Sequence, residues 1–130
     1  MKTIAIDFDG VIHKYSGGWK DGSIYDEPVE GAFQSIRALM DKGYSVFVFS
    51  TRSPHQINRW INGYLLTHDM YYDSIFSNYG YIAEVIPFWK KFWNKPNVLG
   101  ITKRKLPAQA YIDDRAVLFT NWKDILTKFN

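Results

Sequence analysis

Three short apolar runs, TIAID (3–7), YSVFVFS (44–50) and QAYIDD (109–114), punctuate the chain, and each ends in hydroxyl or carboxylate side chains. The first two are dense in β-branched and aromatic residues without clean alternation, as expected of strands covered on both faces. Between them, Val29, Ala32, Phe33, Ile36, Leu39 and Met40 recur at helical spacing. Pro28 predicts the first residue of that helix, and Gly43 its left-handed end. Ser53-Pro54 gives a second start signal. Ile57, Trp60, Ile61, Tyr64 and Leu65 then share one helical face, and the predicted helix takes in His55 and His68. This alternation predicts an α/β domain on a mostly parallel sheet.

The rest of the chain is less regular. HKYSGGWKDGSIYDEP (13–28) reads as a loop or loose hairpin. YDSIFSN (72–78) and NVLGIT (97–102) read as short strands. IAEVIPFWKKFWNK (82–95) has helical spacing, but Pro87 leaves it broken, kinked or irregular. Residues 115–129 are expected to be partly helical. The 130 residues suit one domain, 1–130, and a hydrophobic content of 46% is enough for a core. The net charge of +3 fits an anionic ligand without selecting one. The absence of cysteine excludes disulfides and thiolate metal sites. With no leader pattern and no long apolar stretch, the expectation is a soluble, cytoplasmic protein without a membrane partner.

In a parallel sheet the carboxyl ends of the strands share one edge, and ligands bind there. Asp7-Phe8-Asp9-Gly10, Ser50-Thr51-Arg52 and Asp113-Asp114-Arg115 all fall at strand ends, with Thr102-Lys103-Arg104-Lys105 just before the last strand. Four carboxylates gathered there would repel one another. A hard divalent cation, Mg²⁺ above all, is the natural counter-charge. Asp7, Asp9, Asp113 and Asp114 are therefore the candidate metal residues.

The same motifs, in the same order, resemble the haloacid dehalogenase (HAD) superfamily of phosphohydrolases. DFDGV looks like the family's Asp-x-Asp-x-(Thr/Val) motif, VFVFSTR like its second, and ITKRKLPAQAYIDDRA like its lysine and paired aspartates. The overall pattern is similar to small HAD-like proteins of bacteria and their phages. The resemblance implies a Rossmann-like three-layer sandwich. Neither inter-motif gap is long enough for a separate cap domain.

It also implies a Mg²⁺-dependent phosphatase. A phosphoryl group needs a nucleophile, charge neutralisation and a proton donor for the leaving oxygen. Asp7 is the candidate nucleophile, forming an aspartyl-phosphate. Asp9, swung back by a turn that Gly10 makes easy, is the candidate acid/base, and its main-chain carbonyl a metal ligand. Ser50, with Thr51 and Gly10 beside it, would bind phosphate. The pattern aligned on Tyr111 selects Lys105 as the charge-neutralising lysine, although Leu106 stands where proline is usual, and Lys103 is the reserve. Asp113 is taken as a direct metal ligand, and Asp114 as a holder of metal-bound water or a neighbouring loop.

Plainer readings stand beside these. Paired aspartates at a strand end can be a turn or a helix cap, and Lys103-Arg104-Lys105 a solvated charge run. His13 reads as a surface or hairpin residue without a partner. Arg52 and Arg115 can serve only to hold loops. Phe88, Trp89, Phe92 and Trp93 read as core or as a contact between identical subunits through 82–95, with base stacking the minority reading. The substrate class stays open between nucleotides, nucleic-acid ends and other small phosphates. The competing functions are a metal nuclease, a receiver-like phospho-acceptor and a catalytically silent HAD-fold binding protein.

Overall fold

The computed structural model describes residues 2–72 and 74–129. Its centre is a five-stranded sheet of β1 (Thr3–Ile6), β2 (Ser45–Phe49), β5 (Ile82–Val85), β6 (Val98–Thr102) and β7 (Ala110–Ile112). The strand order is β5-β6-β2-β1-β7, and all four pairings are parallel. Two helices, α1 (Ala32–Asp41) and α2 (Pro54–Leu65), carry the crossovers. A hairpin of β3 (Leu66–Asp69) and β4 (Ser74–Ser77) separates α2 from β5. A short α3 (Trp122–Lys128) follows β7. The α/β class and the mostly parallel sheet are as the sequence predicts.

Both crossover helices lie on one face of the sheet. Phe33, Ile36 and Met40 of α1 and Ile57, Ile61 and Leu65 of α2 join Ile4, Ile6, Val46, Val48, Leu99 and Ile101 in one core. The opposite face is covered by irregular chain rather than helix: Ile86, Trp93 and Leu106 pack on Ala5 and Phe47. The third layer of the sandwich is therefore a loop layer. Trp93 comes so close that a Cβ on Gly100 would lie 2.7 Å from both its Cε2 and the Cδ1 of Ile86. Gly100→Ala should accordingly cost about 1–3 kcal/mol by overpacking, read as a lowered urea midpoint with unchanged slope.

Three local expectations are corrected. Helix α1 begins at Ala32, four residues after Pro28, because His13 bridges to Pro28 and Val29 N–H donates to Ile12 O, which keeps that stretch extended. Helix α2 starts as expected, with Ser53 accepting from Gln56 N–H and Pro54 next to it, but stops at Leu65. His68 sits on β3, paired with Ile75, and not on a helix. The segment 82–95 opens as strand β5 and continues without regular structure. Of its aromatic stripe only Trp93 is core; Phe88, Trp89 and Phe92 are exposed.

No residue of α3 is buried. An apolar groove lined by Ile6, Ile12, Val29, Ala32, Ile36 and Ile112 runs between α1 and the edge strand β7. No described helix is long and apolar enough to cross a membrane.

Candidate active site

The parallel sheet sets the ends of β1, β2, β6 and β7 along one edge. Asp7 N–H donates to Ile112 O at 2.9 Å, and Ser50 N–H to Thr102 O at 3.1 Å, so the residue after β1 and the residue after β2 are each tied to the end of a neighbouring strand. Asp7, Asp113 and Asp114 each place a carboxylate oxygen within 4.8 Å of the others. Asp7 is part-buried. Its Oδ1 accepts Phe8 N–H at 2.8 Å, while its Oδ2 is sealed from solvent with no hydrogen-bond partner. Burial is the main reason the Asp7 carboxyl is pushed up to about 6. The Phe8 N–H and Arg115 oppose the rise, and the charges of Asp113 and Asp9 add to it. The donor set, hard oxygens with one of them buried and unpaired, fits a divalent cation such as Mg²⁺.

A tight turn follows Asp7. Phe8 O accepts from the N–H groups of Val11, Ile12 and His13, and Gly10 sits at φ +84. A side chain at Gly10 would collide with the Asp114 carboxylate, so glycine answers both the conformation and the close approach. The turn brings Asp9 back over the sheet edge, where both its oxygens are engaged. Oδ1 meets His13 Nδ1 at 2.8 Å, and Oδ2 accepts from Arg52 Nε at 2.8 Å.

His13 is not the surface residue that the sequence suggests. It is fully buried, stacked on Phe8 and edge-on to Trp60 and Tyr25. Its Nε2 accepts Asp26 N–H at 3.0 Å, which leaves Nδ1–H to donate to Asp9. The four-residue spacing of Asp9 and His13 across a Gly turn was the available signal, but the Asp26 contact has no local trace. Arg52 does hold loops, and more: its side chain is 2% exposed, Nη1 donates to Gly22 O at 2.7 Å, and the guanidinium lies 4.8 Å from the ring centroid of Trp19 and 5.8 Å from that of Tyr15. Asp9, His13 and Arg52 thereby pin the 14–27 loop as a flap beside the carboxylates.

The remaining candidates are spread along the same edge. Ser50 is buried, and its Oγ accepts Arg52 N–H at 3.2 Å. Thr51 is exposed in a cleft of about 160 Å³ that it shares with Asp9, Tyr15, Trp19, Asp114 and Arg115. Asp113 and Asp114 are exposed, with Asp113 Oδ1 accepting Arg115 N–H at 2.9 Å. Lys105 places its Nζ 5.4 Å over the ring of Tyr111. Among the described residues, neither Lys105 nor Lys103 forms an ion pair with Asp7, Asp113 or Asp114. The structure thus gathers Asp7, Asp113 and Asp114, ties Asp9 to Arg52 and His13, and leaves both lysines outside the carboxylate cluster.

No protein-family model matches the chain, and no curated protein matches it. Among solved structures, a conserved protein of Bacteroides thetaiotaomicron is similar over 98% of this chain and 91% of that one, at 19% identity and a TM-score of 0.46. A likeness at that level says nothing about activity.

Proposed function

We propose that the chain is a capless, HAD-type, Mg²⁺-dependent phosphatase that hydrolyses phosphomonoesters through an aspartyl-phosphate at Asp7. One observation carries this reading: the nucleophile candidate at the tip of the inner strand β1 keeps a buried oxygen without a partner, beside two further carboxylates. Asp7, Asp113 and Asp114 would hold the cation, which when bound offsets the crowded charge of carboxylates and phosphoryl oxygens. Asp7 attacks phosphorus as the bond to the leaving oxygen breaks, and that oxygen takes a proton from Asp9. Asp9 then accepts a proton from water as the water oxygen attacks phosphorus. The bond to Asp7 breaks and phosphate leaves. Ser50 and Thr51 bind phosphoryl oxygens at the end of β2. Lys105, in the loop before β7, supplies positive charge once its side chain swings from the Tyr111 ring toward the cluster.

A second reading, a HAD-fold binding protein without turnover, is favoured by one feature. Both oxygens of Asp9 are already committed to His13 and Arg52, so proton transfer requires one of those bonds to be exchanged. Phosphate release separates the two readings. Wild type and Asp7→Asn should be assayed on aryl, sugar and nucleotide monophosphates, with Mg²⁺ and with chelator. Cation-dependent release that Asp7→Asn abolishes is the expected result. Undiminished release from the variant would sink the Asp7 mechanism, and a thermal shift by Mg²⁺ without release from any substrate would favour the binding protein.

A further inference from the structure

We propose that Trp19 is the stacking platform of a leaving-group subsite, and that the preferred substrate carries a nucleobase on the alcohol side of its phosphomonoester. This rests on the phosphatase reading above and narrows its substrate.

Trp19 is 62% exposed on a loop containing Gly17, Gly18 and Gly22. A large indole in such a position is ordinarily a loose surface group. Here it is fixed. The Arg52 guanidinium lies 4.8 Å from the ring centroid, and Arg52 is itself clamped between Asp9 Oδ2 and Gly22 O. The edge of the indole is packed so closely on Gly22 that a Cβ there would stand 3.3 Å from Cζ2. The flap beneath it is tied down at three further points. Gly17 N–H donates to Tyr25 Oη at 2.9 Å, Tyr25 O–H to Gly18 O at 2.8 Å, and Ser16 N–H to Asp26 Oδ2 at 3.0 Å. The result is a rigid aromatic surface held open to solvent.

Its location decides its use. The cleft that Trp19 lines is also lined by Asp9, Thr51, Asp114 and Arg115, and not by Asp7. Asp9 is the group that meets the departing oxygen, so this cleft receives what leaves, while the phosphoryl group sits at Asp7. Among the described residues that line it, Tyr15 and Trp19 form the apolar walls, and both are flat rings. Neither a glycerol chain nor a sugar ring, whose C–H face is small and edged by hydroxyls, has a continuous planar face to set against them. A nucleobase does, and stacking on an aromatic side chain does not depend on which base is present. Arg115, 81% exposed in the same cleft, offers a planar cation for a second face. Because the platform is already ordered, little freedom is lost on binding. A free nucleoside monophosphate and the phosphorylated end of an oligonucleotide present the same chemistry.

The test uses the full chain with Mg²⁺ and measures kcat/KM for ribose 5-phosphate, AMP, UMP and a 5′-phosphorylated dinucleotide, in wild type, Trp19→Phe and Trp19→Leu. Wild type should prefer both nucleotides over ribose 5-phosphate by about tenfold to a hundredfold, expressed in KM. Trp19→Leu should erase that preference, and Trp19→Phe should keep part of it. Dinucleotide and mononucleotide arms distinguish a nucleic-acid end from a free nucleotide. In parallel, indole N–H resonances of ¹⁵N-labelled Asp7→Asn are followed during titration with AMP and with ribose 5-phosphate. The Trp19 signal, assigned by its loss on Trp19→Phe, should move with AMP alone. Equal kcat/KM for all substrates with a static Trp19 signal would overturn the subsite and leave the phosphatase standing. A Trp19 signal that moves with AMP while no phosphate is released would do the opposite.

Discussion

Asp7→Asn is expected to yield a protein that is inactive yet, without metal, more stable than wild type at neutral pH. On the proposed mechanism the substitution removes the nucleophile, at a cost on the order of 10³-fold or more in turnover. The stability gain follows from the carboxyl being raised from 3.8 to about 6 by burial. A raised carboxyl means the folded state holds its proton more tightly than the unfolded chain. Stability therefore falls as pH climbs from about 4 through 6, and above that the full penalty of an ionised, poorly solvated Asp7 is present. A shift of that size corresponds to about 3 kcal/mol. Partial solvent access at this site reduces it to about 1–2 kcal/mol. Asparagine keeps the acceptor for Phe8 N–H, carries no charge, and has Asp113 and Asp114 nearby to accept from its amide. Urea unfolding in chelator should show Asp7→Asn ahead by that margin at pH 8 and level at pH 4. A variant less stable than wild type at pH 8 would mean that the buried Oδ2 is not a cost to the fold.

Arg52→Met should produce the largest loss of stability, about 3 kcal/mol or more. The guanidinium is almost wholly buried, and its removal leaves Asp9 Oδ2 without its donor and Gly22 O with only the longer contact from Gln56 Nε2 at 3.4 Å. Methionine retains the volume, so the loss reports polar contacts rather than a cavity. Asp9→Asn in the same background should recover part of it, giving a coupling of about 1–3 kcal/mol in a double-mutant cycle. Arg52→Lys should rescue poorly, since an ammonium cannot reach Asp9 and Gly22 in one plane while lying flat on Trp19. A loss below about 1 kcal/mol for Arg52→Met would mean that the flap is anchored elsewhere.

What the sequence made legible was whatever depends on neighbours within a few residues. The paired start signal at Ser53-Pro54, the end at Gly43 and the unbroken apolar runs of β1 and β2 all read correctly. So did the meeting of Asp7 and Asp113 on one edge, because parallel pairing leaves little choice once the strands are known. The misreadings share a cause. Pro28 is a sound helix start by local rules, but its backbone is claimed by His13. His13 itself looked idle because its second hydrogen-bond partner, Asp26, lies across the flap and Trp60 on α2. Ile82–Val85 is too short for its apolar spacing to separate strand from helix. Trp93 and its exposed neighbours Phe88, Trp89 and Phe92 have the same composition, and only the presence of Gly100 opposite makes room for one of them.

The pairing of β1 with β7 sets Ile4 against Ala110, the longest sequence separation of any pairing in the central sheet. Closing so long a loop is entropically unfavourable until the intervening strands and helices have formed. Folding should therefore lay down β1, β2 and β6 before β7 zips onto the outer edge. Asp7 is then in place well before Asp113 and Asp114 arrive. Until β7 docks, Asp7 has only Asp9 of its acidic neighbours beside it, and the repulsion from Asp113 and Asp114 arises at the last step.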